Sequence, residues 1–407
     1  MRRLEALDGL RGYFLVFMML NHLYFEDSFF LGKMNHQELG YVQDAQGFVF
    51  LSGLLIGMVY TGRMRREGFW AGASKIWRRA LDLYIYAMGC ILAIVALSMV
   101  LPEANLFWYP WLWQLVEGQF WFIVSSALLL YQPSYMDILP QYIIYLIVAP
   151  PLVWLCIQGR WLPIAIGSAL LWLAVQFGAH IPLSWGVEGA MQVVDPELGF
   201  RAPFNVLAWQ TVFMSGMVLG SMSVTGQIDW QRTFDPRRAE IFWAAVAIVL
   251  FFMAWRLALT YQIVPEATVR RFRSIEIRNE FSLLFLVNFA AMAYMVGWLM
   301  IAGVRSEHPW IKAVGDALHA LFSLSFLRLL GRHSLQVYAF HVIVVYFSGA
   351  LGHHYGPFGD VTETFMALAA VASLAIPALI HERWMARKRG EAKPPAQPAA
   401  QAQGAGA

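Results

Sequence analysis

The chain has 407 residues, of which 59% are hydrophobic and 14% charged, with a mean hydropathy of +0.54. A soluble protein of this size carries roughly 25% charged residues, so the composition excludes an ordinary soluble enzyme and indicates a polytopic all-α membrane protein. The net charge of +3 says little beside where the charges lie, and no nucleic-acid partner is expected.

Ten spans are expected, near residues 12–31, 45–62, 80–101, 138–158, 161–178, 207–225, 239–260, 281–303, 333–350 and 363–381. Each apolar run approaches the ~20 residues a bilayer requires. The first stretch, "LDGLRGYFLVFMMLNHLYF", opens on Asp8 and Arg11 and then carries Asn21 and His22 where a span is ordinarily apolar. On a helix, Arg11 and His22 lie on one stripe, ~16 Å apart along the axis. With Arg11 at the cytoplasmic rim, His22 falls near the bilayer midplane, and Glu26, one turn on, is placed to orient its ring. Asn21 points elsewhere, toward a helix contact. An ionisable residue within the membrane faces a bundle interior or a watery cavity; a histidine that only hydrogen-bonds a neighbouring helix is the alternative. Asp8 reads either as a helix N-cap or as a partner of Arg11 at i+3.

The loop after the second span, "GRMRREGFWAGASKIWRR", holds six basic residues against one acid: Arg63, Arg65, Arg66, Lys75, Arg78 and Arg79. With "MRR" at the start and "ERWMARKRGEAK" near the end, it places both termini in the cytoplasm by the positive-inside rule. "QFWFIVSSALLLY" (Gln119 to Tyr131) is apolar but short, and reads as re-entrant or interfacial. Asp137, three residues before Pro140, is either an N-cap or part of an acceptor site. "VRRFRSIEIRNE" puts four arginines in a loop expected outside; it either folds back or serves a ligand. In "LLGRHSLQVYAFHVIVVYF", Arg332 and His333 stand at the cytoplasmic entry of the ninth span, and His341 lies about 12 Å deeper. Two histidines, His22 and His341, thus reach matched depth from one face. Cys90 and Cys156 read as small buried hydrophobes, with no metal site implied. Residues 1–384 form one membrane-embedded domain, and 385–407, rich in Pro, Ala, Gln and Gly, a disordered cytoplasmic tail.

These segments resemble the acyltransferase 3 superfamily of membrane-bound acyl transferases. "LDGLRG" and the histidine beyond it carry the opening motif through Asp8, Gly9, Arg11 and His22. "FVFLSGLLIG" is similar to a Phe-rich Ser-Gly motif, through Phe48, Phe50, Ser52 and Gly53. "GRHSLQVYAFH" resembles a late motif through Gly331, Ser334, Tyr338 and His341, and "IHERW" the closing one through Glu382. "YQPSYMDILPQYIIYLIVAPPL", through Asp137, Leu139, Pro140 and Tyr142, resembles the OpgC-type branch, whose members succinylate osmoregulated periplasmic glucans. Two departures stand out: Asp82 occupies the place of a second arginine after the basic loop, and "EGQFW" (Glu117, Phe120, Trp121) matches a Glu-x-x-Phe-Tyr motif loosely.

The resemblance implies an O-acyltransferase of the bacterial inner membrane, with no bound cofactor. A cytoplasmic acyl-CoA, succinyl- or acetyl-, would be the donor and a periplasmic glucan or related glycan the acceptor. The basic loop would dock the donor phosphates and Arg11 its pantetheine or carbonyl end. His22 would be the general base, and His341 would position the acceptor or stabilise developing charge. A histidine can also take the acyl group itself. A succinyl donor needs a further cation for its free carboxylate, with Arg332, Arg270, Arg271 or Arg273 as candidates. Two other readings stay open: a proton-coupled carrier of a glycan or anion, and an acetyltransferase acting on another envelope polysaccharide.

Overall fold

In hydrocarbon every backbone N–H and C=O needs an internal partner, and a helix satisfies its own. The computed structural model describes residues 2–23, 36–101 and 103–388, and it is helical throughout. In chain order the helices are α1 (Arg2–His22), α2 (Asp44–Glu67), α3 (Phe69–Val100), α4 (Ala104–Glu117), α5 (Gln119–Ala127), α6 (Ile138–Ile157), α7 (Trp161–Gln176), α8 (Ile181–Val194) and α9 (Val206–Thr225). After a one-turn helix at Trp230–Thr233 there follow α10 (Glu240–Thr260), α11 (Glu266–Arg273), α12 (Leu283–Ile301), α13 (Pro309–Phe322), α14 (Ser325–Arg332), α15 (Ser334–Tyr355), α16 (Asp360–Ser373) and α17 (Ala375–Lys388). The described residues contain no strand, only an isolated bridge between Tyr131 and Arg201.

Eight helical segments among the described residues are long and apolar enough to cross a bilayer, with α16 and α17 together making one of them. Two bent pairs, α7 with α8 at 73° and α13 with α14 at 58°, bring the number to ten. The chain is a polytopic membrane protein. Helix α5, with 9 residues, is too short to span, in keeping with an interfacial or re-entrant piece.

Burial sorts the spans. In α2, α6, α9 and α15 between 61% and 67% of the apolar stretch is covered by protein, whereas in α10 only 11% is. The first set forms the interior, and these are the helices around which the polar residues gather.

Three expectations are corrected. Helix α1 begins at Arg2 and runs to His22, so the helix starts ten residues earlier than expected and the charged opening stretch is already helical. The polar first turns are tolerated because α13 and α14 pack against them. Asp8, well inside α1, is therefore no N-cap. Lastly, the bent pair α13–α14 is among the candidate spans of the described residues, whereas α1, expected to hold the first span, is not. Glu26 and the residues up to 31 lie outside the described residues, as does 389–407.

Candidate active site

Glycines place α1. A Cβ at Gly9 would collide with the Phe322 carbonyl, one at Gly12 with the Leu327 carbonyl, and one at Gly331 with the carbonyl of Asp8. Backbone therefore lies on backbone along the α1–α14 seam, which small residues alone permit. The seam sets the register of α1 against α15, which follows α14 after a single residue. Arg11 Nη2 then donates to Ser334 Oγ at 2.5 Å. Helices α2 and α9 cross in the same manner, with Gly53 and Gly57 against the Phe213 and Met217 carbonyls, and Gly216 and Gly220 against those of Phe50 and Leu54.

Two turns along α15 from Ser334, the end of α1 meets His341. His22 Nδ1 lies 2.9 Å from His341 Nε2, and His341 Nδ1 lies 2.9 Å from the Tyr338 carbonyl oxygen. A carbonyl only accepts, so His341 Nδ1 carries the proton and its Nε2 presents a lone pair. His22 Nδ1 must then be the donor, which leaves the His22 Nε2 lone pair without a protein partner among the described residues. His341 is completely buried and His22 half-buried. The chain of bonds thus runs from a fixed interior carbonyl to one reachable nitrogen. Both His341 nitrogens are committed, one to His22 and one to the Tyr338 carbonyl.

Tyr135 flanks the His22 ring, 4.6 Å between centroids, with a left-handed φ of 66°. Such backbone persists where the surroundings over-determine it. Here the Tyr338 hydroxyl donates to the Tyr135 carbonyl at 2.7 Å, the Tyr346 hydroxyl to the Ser134 carbonyl at 2.9 Å, and Arg201 Nη2 to Ser134 Oγ at 2.6 Å.

Asp137 precedes α6 but makes no side-chain cap hydrogen bond; its carboxyl is met instead by the backbone amides of Asp137 and Ile138. Burial pushes that carboxyl up to about 6, with Arg278 and Arg201 pulling the other way. Asp44 is buried at the start of α2, where it accepts from Asn21 Nδ2 and Gln37 Nε2 at 2.5 Å each. Arg278 acts electrostatically on Asp137, Asp44 and His22 together. Sequence reasoning missed Arg278, Arg201 and Asp44. The signal for Arg278 was present in the arginine-rich loop, but the three other arginines there were the ones named.

On the other side of Arg11 lies a cleft of about 200 Å³ lined by Arg11, Ser52, Tyr60, Arg79 and Tyr142. Two buried polar atoms at its wall, Arg11 Nε and Ser52 Oγ, have no hydrogen-bond partner among the described residues. Buried polar groups are ordinarily paired, so these two mark a place for a polar ligand. Of the basic cluster, Arg79 reaches this cleft. Arg63 pairs with Glu67 at 2.9 Å and Arg65 Nη1 donates to the Val224 carbonyl at 3.2 Å, while Arg66, Lys75 and Arg78 are exposed. Arg332 sits 3.9 Å from Glu382. No group of three His, Cys, Asp or Glu side chains among the described residues is placed to hold a metal ion.

The family model described as OpgC protein matches residues 2–386, nearly the whole chain and every residue of the arrangement above. The chain belongs to the OpgC protein family. No curated protein and no solved structure matches it. OpgC membership implies an acyltransferase that works in glucan modification, and in this OpgC-family chain the polar groups described are those available for such chemistry.

Proposed function

We propose that the protein moves a succinyl group from a cytoplasmic acyl-CoA to a hydroxyl of a periplasmic glucan, across the inner membrane. The reading rests on one observation: the Tyr338 carbonyl, His341 and His22 form a chain whose end is a reachable, proton-accepting His22 Nε2. The donor enters from the basic end, its phosphates met by the exposed arginines and lysine and its arm by Arg79, Arg11 and Ser52. Arg11 and His22 are three turns apart on α1, ~16 Å, so the cleft lies behind the reacting centre on the donor's path.

His22 Nε2 takes the proton of the acceptor hydroxyl as that oxygen attacks the thioester carbon. The carbon–sulfur bond breaks, and the sulfur leaves with the proton returned by the His22 imidazolium. The products are a carboxylic ester and free CoA thiol, so atoms and charge balance. His341 transfers no proton; its Nε2 lone pair, facing His22 Nδ1–H, steadies the imidazolium as it forms. Asp137, at the same end of the bundle as His22, is placed to orient the acceptor hydroxyl.

The test is purified full-length protein with radiolabelled succinyl-CoA or acetyl-CoA and a neutral β-glucan. Label should enter the glucan as an alkali-labile ester. Absence of ester from both donors would overturn the reading, and glucan movement across vesicles lacking any donor would favour a carrier.

A further inference from the structure

The geometry points to a carboxylate site at Arg278: it holds the free carboxylate of a dicarboxylic acyl group and so selects that donor over an uncharged one. The assignment rests on the acyl-transfer reading above and names which residue sets its acyl specificity.

Arg278 is fixed in place through its main chain. Trp209 Nε1 donates to its carbonyl at 3.3 Å, and the Asn205 amide to the next carbonyl, that of Asn279, at 2.9 Å. Its guanidinium rests 5.3 Å from the centre of the Phe204 ring, and the residue as a whole is exposed. Among the described residues that guanidinium makes no hydrogen bond and no direct ion pair. Three other arginines are committed: Arg256 to Glu276 at 3.5 Å, Arg270 to Glu266 at 2.9 Å, Arg201 to Ser134. The acids near Arg278 do not consume it, since Asp44 is engaged by two side-chain amides. Arg201 acts on Asp137 as Arg278 does, each favouring its charged form.

Location decides which end of the donor meets Arg278. It sits at the start of α9, whose other end lies beside Arg65 in the basic cluster. The 20 residues of α9 separate the two by ~30 Å. A thioester entering from the basic end with its carbonyl at His22 has CoA behind it and its acyl tail ahead, toward Arg278. An acetyl tail ends in a methyl group. A dicarboxylic tail ends in a carboxylate, which a planar guanidinium takes through two parallel bonds.

The experiment compares kcat/KM for succinyl-CoA and acetyl-CoA in full-length wild type, Arg278→Gln and Arg278→Lys, always with a neutral glucan so that acceptor charge plays no part. The succinyl-to-acetyl ratio should fall roughly ten- to a hundredfold in Arg278→Gln and less in Arg278→Lys, which keeps the charge but not the fork. A general folding defect lowers both donors alike and leaves the ratio; should Arg278→Gln fail to accumulate, the lysine variant carries the same comparison. An unchanged ratio, equal losses for both donors, or a wild type that prefers acetyl overturns the carboxylate site while transfer stands. A wild type that uses neither donor removes the transfer reading, and the site with it.

Discussion

Helix α15 carries a histidine pair at each of two depths, and the pairs differ in what stands behind them. At its start, His333 Nδ1 lies 2.8 Å from His381 Nδ1 of α17, with Arg332 and Glu382 close by. Eight residues on, His341 meets His22 at 2.9 Å. The spacing within each pair is nearly the same. The deeper pair, however, has the Tyr338 carbonyl as a third member, and that acceptor settles which ring donates to which. Nothing among the described residues does so for His333 and His381, where either ring can be the donor. Two histidines in contact are therefore no catalytic device by themselves; a fixed acceptor behind them makes one nitrogen a base.

The largest effect expected from this contrast is that of His22→Ala. Loss of a general base should lower kcat for ester formation by 10²- to 10⁴-fold, with the protein still folded by size-exclusion chromatography and thermal melting. Normal transfer by a folded His22→Ala protein would break the comparison at its stronger end.

His341→Leu is expected to cost less, roughly ten- to a hundredfold in kcat, since it strands the His22 Nδ1–H without an acceptor. The donor KM should move little. His341→Gln, which can still accept from His22, should retain more activity and a pH–rate profile nearer to wild type. Equal losses in the two variants would reduce His341 to a packing residue.

The smallest effect is expected at the other pair. His333→Gln should change kcat and KM by less than about threefold, because a glutamine can still hydrogen-bond His381 and the position lies about 12 Å along the helix from His341. A loss comparable to that of His341→Leu, measured in the same ester assay, would mean that both pairs belong to the chemistry and that the carbonyl is not what separates them.

Much of this was legible in the sequence. Apolar runs of span length and a charged fraction far below that of soluble proteins mark a helical membrane protein. The eleven-residue step from Arg11 to His22 places both on one face, because helical periodicity depends on the local chain alone. The glycines of "LDGLRG" and "SGLLIG" were visible as well, although not what they were for.

Tertiary structure decided the rest. That His341 meets His22 follows from the register of α1 against α15. That register comes from backbone contact at Gly9, Gly12 and Gly331 between segments more than 300 residues apart. Arg278 was one arginine of four until the start of α9 held its main chain near His22, while Arg270 and Arg256 found acids of their own. Asp137 had a cap-like position in the chain yet makes no side-chain cap hydrogen bond, and Asp44 is buried under two amides. Periodicity within a helix is carried by neighbours in sequence. The partner of a polar side chain is chosen by whichever helix packs beside it, and no local pattern encodes that choice.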